Sequence, residues 1–331
     1  MKRWLVLSMM MTFLAWPGMA QYIPSTPFDQ PVKDNSGEYW HWGNTFQHLD
    51  LALSLGTSGI GIELASPICE SAQVRIGYEF MPHFRRHKSF DVMVGNEPSR
   101  QYDETGCRKE TDYDKVREMM YEEIGLDMLD HVDFTGRFTM QNFKFLVDIF
   151  PLYDNKKLHF TVGFYWGPSE FATMESDRGF NGTISCITYY NKKHAAASEG
   201  ELIKSFGTAG INVGTFANNI LDADGRMIHK AGEPYKMTGG DQVTISIPVT
   251  SNSFKPYLGV GYTSQLLKKR KDIKFAVTGG VMFWGGTPSM YTPDGINITK
   301  DINHKDWSSV NLISKLKVYP TIGIRIIKNI L

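Results

Sequence analysis

Ser54, His159 and either Asp50 or Asp148 are the side-chain types a nucleophilic hydrolase or acyltransferase needs. In such a trio the imidazole takes the serine proton and the carboxylate orients the imidazole. Ser54 and His159 sit on different alternating segments, and no Gly-x-Ser-x-Gly elbow surrounds Ser54. A polar interior that has to be filled accounts for them better than a catalytic pair. Asp222-Ala-Asp224-Gly225 has a fragment of calcium-loop spacing, lacks the later Glu, and reads as a polar turn. No metal-ligand or cofactor motif is present, and neither a cofactor nor a catalytic residue is assigned.

Two further groups of residues could do chemistry at a surface. His83, Arg85, Arg86, His87 and Lys88 form a basic cluster. Arg85, Arg86 and Lys88 suit contact with the phosphates of lipopolysaccharide; the plainer reading is the solvated base of a loop. Cys69, Cys107 and Cys186 are too few and too scattered for a zinc site or a disulfide scaffold. An exported chain meets an oxidising space, so a Cys107–Cys186 bridge is one expectation and three free thiols the other.

The elements that must position these residues are strands. Residues 254–264, Phe-Lys-Pro-Tyr-Leu-Gly-Val-Gly-Tyr-Thr-Ser, change face at every position, and seven other segments do the same. They start near Leu49, Ile60, Val74, Phe143, Leu158, Ile273 and Val318. Before them, Lys2 and Arg3, an apolar run from Trp4 to Trp16, and small residues at Gly18 and Ala20 read as a signal peptide cleaved near Ala20/Gln21. Residues 21–45 read as a periplasmic lead-in that ends on Tyr39-Trp40-His41-Trp42. Eight alternating segments behind a secretory signal predict a transmembrane antiparallel up-and-down β-barrel spanning 46–331 in the outer membrane of a Gram-negative cell.

The connections agree with that topology. Those after the second, fourth and sixth strands are short, and those after the third, fifth and seventh are long, at about 85–138, 167–253 and 286–315. With the N-terminus in the periplasm, the long ones are external. Short helices are expected at Tyr113–Gly125 and near Asp306–Leu316, with a strand-like piece at Val243–Val249. The basic run at Lys268–Lys271 becomes a short periplasmic turn. A net charge of zero, from 35 basic and 35 acidic residues, gives no support for nucleic-acid binding.

Taking the more apolar face of each strand as lipid-facing leaves Asp50, Glu63, Glu79 and Asp148 inside, with Arg75, Lys144, Lys255, Lys274, Arg325 and His159. Enclosed charges must pair, so these residues are expected to form a network, with Lys255 finding a carboxylate. Inward glycines leave room for the long side chains. Eight strands enclose only enough space for their own side chains, which argues against a wide pore.

The ordered pieces Leu-Gly-Thr-Ser-Gly-Ile-Gly-Ile-Glu-Leu (55–64), Leu-Val-Asp-Ile-Phe-Pro-Leu (146–152), Lys-Pro-Tyr-Leu-Gly-Val-Gly-Tyr (255–262) and Tyr-Pro-Thr-Ile-Gly-Ile-Arg (319–325) cover strands but not long loops. On them the chain resembles a family of small Gram-negative outer-membrane β-barrel proteins. The resemblance implies fold and location, lipid and lipopolysaccharide as surroundings, and the barrel-assembly machinery during insertion; it brings no activity. One departure is the C-terminus, Ile-Lys-Asn-Ile-Leu, where such barrels usually end on an aromatic residue. The functional expectation is a non-enzymatic barrel acting through its external loops on an unidentified ligand. A lipid-modifying enzyme and a narrow solute channel are the alternatives.

Overall fold

The computed structural model describes residues 48–69, 71–82, 84–152, 157–222, 224–267, 270–303 and 317–330. The expected signal peptide, lead-in, turn at 154–156 and helix near Asp306–Leu316 lie outside these residues, as do His83, Lys268 and Lys269. Period-two alternation closes on itself as an antiparallel barrel. Its strands are β1 (Asp50–Gly56), β2 (Gly59–Cys69), β3 (Ala72–Phe80), β7 (Gln141–Ile149), β8 (Leu158–Trp166), β15 (Phe254–Leu267), β16 (Arg270–Phe283) and β19 (Val318–Asn329). The ladder runs β1-β19-β16-β15-β8-β7-β3-β2 and closes β2 onto β1. Closure removes the unpaired edges that an open sheet would expose.

The faces divide as the alternation requires. Leu53, Ile62, Phe160, Leu258 and Ile322 point outward and are between 50% and 66% exposed, while Glu63, Lys144, Asp148 and Arg325 point inward at no more than 3%. A band of exposed Leu, Ile, Val and aromatic side chains around a closed wall is what lipid tails cover. The β1–β2 turn is the tightest connection at the end that carries the long insertions. It turns through Gly59 at φ +129°, where a Cβ would lie 2.2 Å from the Phe80 carbonyl oxygen. Thr57 ties the turn to β19: its N–H donates to the Ile322 carbonyl at 2.9 Å, and its carbonyl accepts from the Tyr319 hydroxyl at 2.6 Å.

The largest departure from the sequence reading is in the long connections, which are not loops. They supply β4 (Phe84–Val94), β5 (Glu97–Pro98), β6 (His131–Phe138), β9 (Glu170–Ser176), β10 (Ala209–Phe216), β13 (Pro234–Met237), β14 (Ser246–Thr250), β17 (Ser289–Met290) and β18 (Ile302–Asn303). All nine join one sheet, whose main path is β13-β10-β4-β6-β9-β14-β17. Each of the three insertions contributes strands, so the sheet is assembled from all three. A separate ribbon of β11 (Ile220–Leu221) and β12 (Met227–His229) carries the Asp222 turn. There the Asp222 carboxylate accepts from the Asp224 and Arg226 N–H groups, the geometry of a polar turn.

The sheet grows directly out of the barrel wall. Phe80 pairs with Gln141 at the end of β3–β7; Met81 N–H then reaches the Met140 carbonyl at 2.8 Å, and Phe84 pairs with Phe138 in β4–β6. On the next hairpin Phe254 pairs with Trp166, Ser251 N–H reaches the Ser169 carbonyl, and Thr250 pairs with Glu170. The resulting cap has its own core, which includes Phe90, Val92, Val132 and Phe134 from the first insertion, Ile184, Ile187, Ile211 and Ile247 from the second, and Met290 and Ile298 from the third.

Two long helices pack on it, beside short helical pieces at Leu202–Phe206 and Ile298–Asp301. The expected helix at 113–125 forms as α1 (Asp112–Ile124), which begins at Thr111 with Asp114 reaching back to the Thr111 N–H at 2.9 Å and ends on left-handed Gly125. It buries Tyr113, Val116 and Met120. Helix α2 (Asn181–Ala196) buries Ile184, Cys186, Ile187 and Tyr190. The Cys107–Cys186 bridge is not formed. Cys186 faces the cap core, where burial pushes its thiol up to about 11, while Cys107 is exposed in a surface turn; all three cysteines are free.

The cap also carries a pH-sensitive contact. Hydrogen bonds from Arg100 to both oxygens of Asp130, at 3.1 and 3.2 Å, hold that carboxyl at about 2, helped by His131 Nδ1 at 2.6 Å. An unfolded chain has Asp near about 3.9. Folding is therefore favoured by this group above the unfolded value, and the contribution fades as pH falls through the folded one. Asp130→Asn is expected to weaken the cap at neutral pH and to flatten its loss of stability between roughly pH 4 and pH 2. Acid unfolding followed by tryptophan fluorescence checks this, and unchanged acid sensitivity in the variant rejects it.

Candidate functional site

The barrel interior holds the densest set of ionisable groups among the described residues, and its geometry follows from register. Gly77 opposes Glu63 on one side and Lys144 on the other, so the β3 glycine leaves space where the two charged chains meet. A Cβ at Gly77 would lie 3.0 Å from Glu63 Cγ. Glu63 is the hub: its oxygens lie 2.9 Å from Arg75 Nη1, 2.8 Å from Lys144 Nζ and 3.4 Å from Arg325 Nη1. Arg75 also reaches Asp148 at 2.8 Å, and Lys144 reaches Glu79 at 2.6 Å. Asp148 further accepts from Thr161 at 2.7 Å and from Gln73 at 2.8 Å.

His159 belongs to the same network through Arg325, whose guanidinium lies 3.3 Å from Nε2. A guanidinium only donates, so this nitrogen accepts. Lys274 and Asp50 form a separate, partly exposed pair at 3.5 Å. Nine of the ten inward residues named from sequence thus contact another member of the set. Lys255 is the tenth, and its partners are Asn142 Oδ1 at 3.3 Å and the Ser253 carbonyl at 3.5 Å, neither of them acidic.

The inward glycines serve rings as much as charges. Cβ atoms at Gly259 and Gly280 would fall 2.5 and 2.3 Å from the Tyr257 hydroxyl, and one at Gly261 would fall 2.3 Å from His159 Nε2. Tyr257 packs with Leu146, Tyr165 and Met282 into an apolar layer of the lumen. Sequence reasoning missed this layer because Leu146, Tyr165 and Met282 fall on faces read as polar. Between the charges and this layer remains a void of about 30 Å³, lined by Glu63, Arg75, Lys144, Tyr165 and Tyr257 among others. That is enough to hold bound water.

Ser54 and His159 are not hydrogen-bonded to each other. Ser54 Oγ accepts from Lys144 at 3.3 Å, and Nε2 of His159 is occupied by Arg325. A serine held by an ammonium and an imidazole held by a guanidinium lack the hydrogen bond that would activate the serine. No group of three or more His, Cys, Asp or Glu residues suited to a metal occurs among the described residues.

Outside the barrel, Arg85, Arg86 and Lys88 lie on β4 within eight residues of Phe80, the last residue of β3. All three are exposed, although they alternate along the strand, so both faces of the sheet are open here. Arg137 pairs directly with Arg85 across β4–β6 and leans toward Glu175 at 3.7 Å. The basic cluster therefore occupies a neck between the apolar band and the cap core.

No family model matches the sequence, and no curated protein matches it. Among solved structures, CarO2 of Acinetobacter baumannii is similar at 12% identity and a TM-score of 0.38, over 86% of this chain and 98% of that one. CarO of Acinetobacter baumannii gives 13% and 0.35, over 84% of this chain and 96% of that one. A major outer membrane protein from Thermus thermophilus gives 9% and 0.29, over 86% and 98%. The assignment of this chain to barrels of the outer-membrane type stands on its own closed eight-stranded ladder, apolar outside and polar within.

Proposed function

We propose that this protein is a non-enzymatic outer-membrane barrel, exported by a cleaved signal and inserted by the barrel-assembly machinery, that holds a folded cap outside the cell as its interaction surface. The observation that carries the reading is the union of all three long insertions in one cored sheet on top of a filled barrel. A barrel whose lumen is filled by paired charges and an apolar layer suits an anchor. A sheet with its own core is a rigid platform, and rigid platforms suit recognition. Arg85, Arg86, Lys88 and Arg137 sit at the neck, where lipid phosphates lie when the apolar band is in the membrane, and they hold the platform upright against lipopolysaccharide.

Three measurements test this. Purified protein in planar bilayers is expected to give no steady conductance. The lipid-A mass profile is expected to be the same in cells with and without the protein. The triple variant Arg85→Gln, Arg86→Gln, Lys88→Gln is expected to fold normally and to co-purify with several-fold less lipopolysaccharide. Steady conductance supports the channel, an altered acylation pattern supports the enzyme, and unchanged lipopolysaccharide rejects the neck contact.

A further inference from the structure

Four basic side chains that are at most 3% exposed face the lumen, Arg75, Lys144, Lys255 and Arg325, against three such acids, Glu63, Glu79 and Asp148. The three acids are already engaged by Arg75, Lys144 and Arg325, within 3.4 Å. Lys255 is the remainder. It is 1% exposed, and no carboxylate among the described residues lies within ion-pair distance of it. A buried ammonium without a counter-charge is strongly unfavourable.

What surrounds Lys255 is neutral. Its two acceptors, Asn142 Oδ1 at 3.3 Å and the Ser253 carbonyl at 3.5 Å, are at the long end of hydrogen bonding. An ammonium has three protons to donate. Asn142 is itself 1% exposed, and its Nδ2 has no hydrogen-bond partner. Rotating the amide would set its NH2 against the ammonium, so the orphaned donor follows from the position of Lys255. Asn142 Nδ2 and one proton of the Lys255 ammonium are therefore left without an acceptor among the described residues.

That donor set calls for a small monovalent anion. We propose that Lys255 and Asn142 form a halide-sized anion site at the capped end of the lumen, where β7 and β15 pass into the cap. One excess charge matches one negative charge. With the other three buried bases of the lumen already paired, a phosphate or other polyvalent anion would be left uncompensated. The bound anion makes the charges of the lumen balance without a fourth carboxylate, and it locks the start of β7 to the start of β15 across β8.

The test uses the whole protein in detergent. Crystals grown with bromide in place of chloride are expected to show an anomalous peak within hydrogen-bond distance of Lys255 Nζ. The melting temperature is expected to stand several degrees higher in sodium bromide than in sodium gluconate of equal ionic strength. Lys255→Met, close in length and uncharged, is expected to lose both the peak and the difference. The proposal is overturned by a wild-type map with no bromide at Nζ, by peaks at exposed residues alone (an adventitious ion only), or by an equal bromide increment in Lys255→Met. The wild-type map decides the matter even where the variant does not fold.

Discussion

Glu63→Leu is expected to be the most damaging single substitution in the barrel wall. It removes the carboxylate that Arg75, Lys144 and Arg325 share at 2.9, 2.8 and 3.4 Å, and leaves these three buried cations with only Glu79 and Asp148. Breaking a buried pair from one side costs about 3–5 kcal/mol, because the remaining charge is uncompensated. Arg75 and Lys144 keep Asp148 and Glu79, so Arg325 bears most of the loss. A double change, Glu63→Leu with Arg325→Met, is therefore expected to recover part of the stability. Urea unfolding followed by the heat-dependent shift of the folded band on gels reads both. If Glu63→Leu unfolds at the wild-type urea concentration, the hub assignment is wrong.

Phe134→Ala is expected to have the largest effect in the cap. Phe134 is fully buried, and its ring meets Phe90 edge-on with centroids 5.4 Å apart, joining β4 to β6 at the centre of the shared core. Truncating a buried Phe costs about 3–5 kcal/mol. The core draws on all three insertions, so the loss is expected to loosen the whole cap. The barrel keeps its own closed ladder. Limited proteolysis of the variant is expected to cut in all three insertions and to leave a protected barrel. Cuts confined to residues 84–138 would show that the insertions fold independently.

These two expectations mark what the sequence made legible and what it did not. Barrel strands show period two over seven or more residues, with one face uniformly apolar, as in Phe143, Phe145, Val147 and Ile149. Lipid on one side and packed side chains on the other enforce that contrast along the whole strand. Cap strands carry the same alternation over only two or three positions: Phe90, Val92 and Val94 in β4, Val132 and Phe134 in β6, Ile247 and Val249 in β14. Runs that short do not stand out from loops. Their partners are also distant in the chain, as where Val94 pairs with Ala209 or Thr215 with Asn303, and neither pairing has a local signature.

The lumen shows the same division at the level of single residues. Alternation alone places Glu63, Arg75, Lys144 and Asp148 inside, and proximity then makes them contact one another. Which acid meets which base depends on register, and register around a closed barrel is set by all the strands at once. The sequence-level set contained one more base than acid, counting Asp50, Glu63, Glu79 and Asp148 against Arg75, Lys144, Lys255, Lys274 and Arg325. The expectation that Lys255 would find a carboxylate does not hold: the register places its ammonium beside Asn142 and the Ser253 carbonyl instead.

The claim that ties these features together is a filled barrel holding a cored cap on the outer face of the membrane, and the three native thiols probe it directly. Cys107 is exposed in the cap, Cys69 is exposed at the β2–β3 turn on the opposite end of the barrel, and Cys186 is buried in the cap core. Variants that each keep a single cysteine, treated on intact cells with a membrane-impermeant maleimide, are predicted to label at Cys107 alone. Cys69 is predicted to label only after the outer membrane is permeabilised, and Cys186 only after unfolding. Labelling of Cys69 on intact cells with Cys107 protected would contradict the account, since it would put the cap on the periplasmic side.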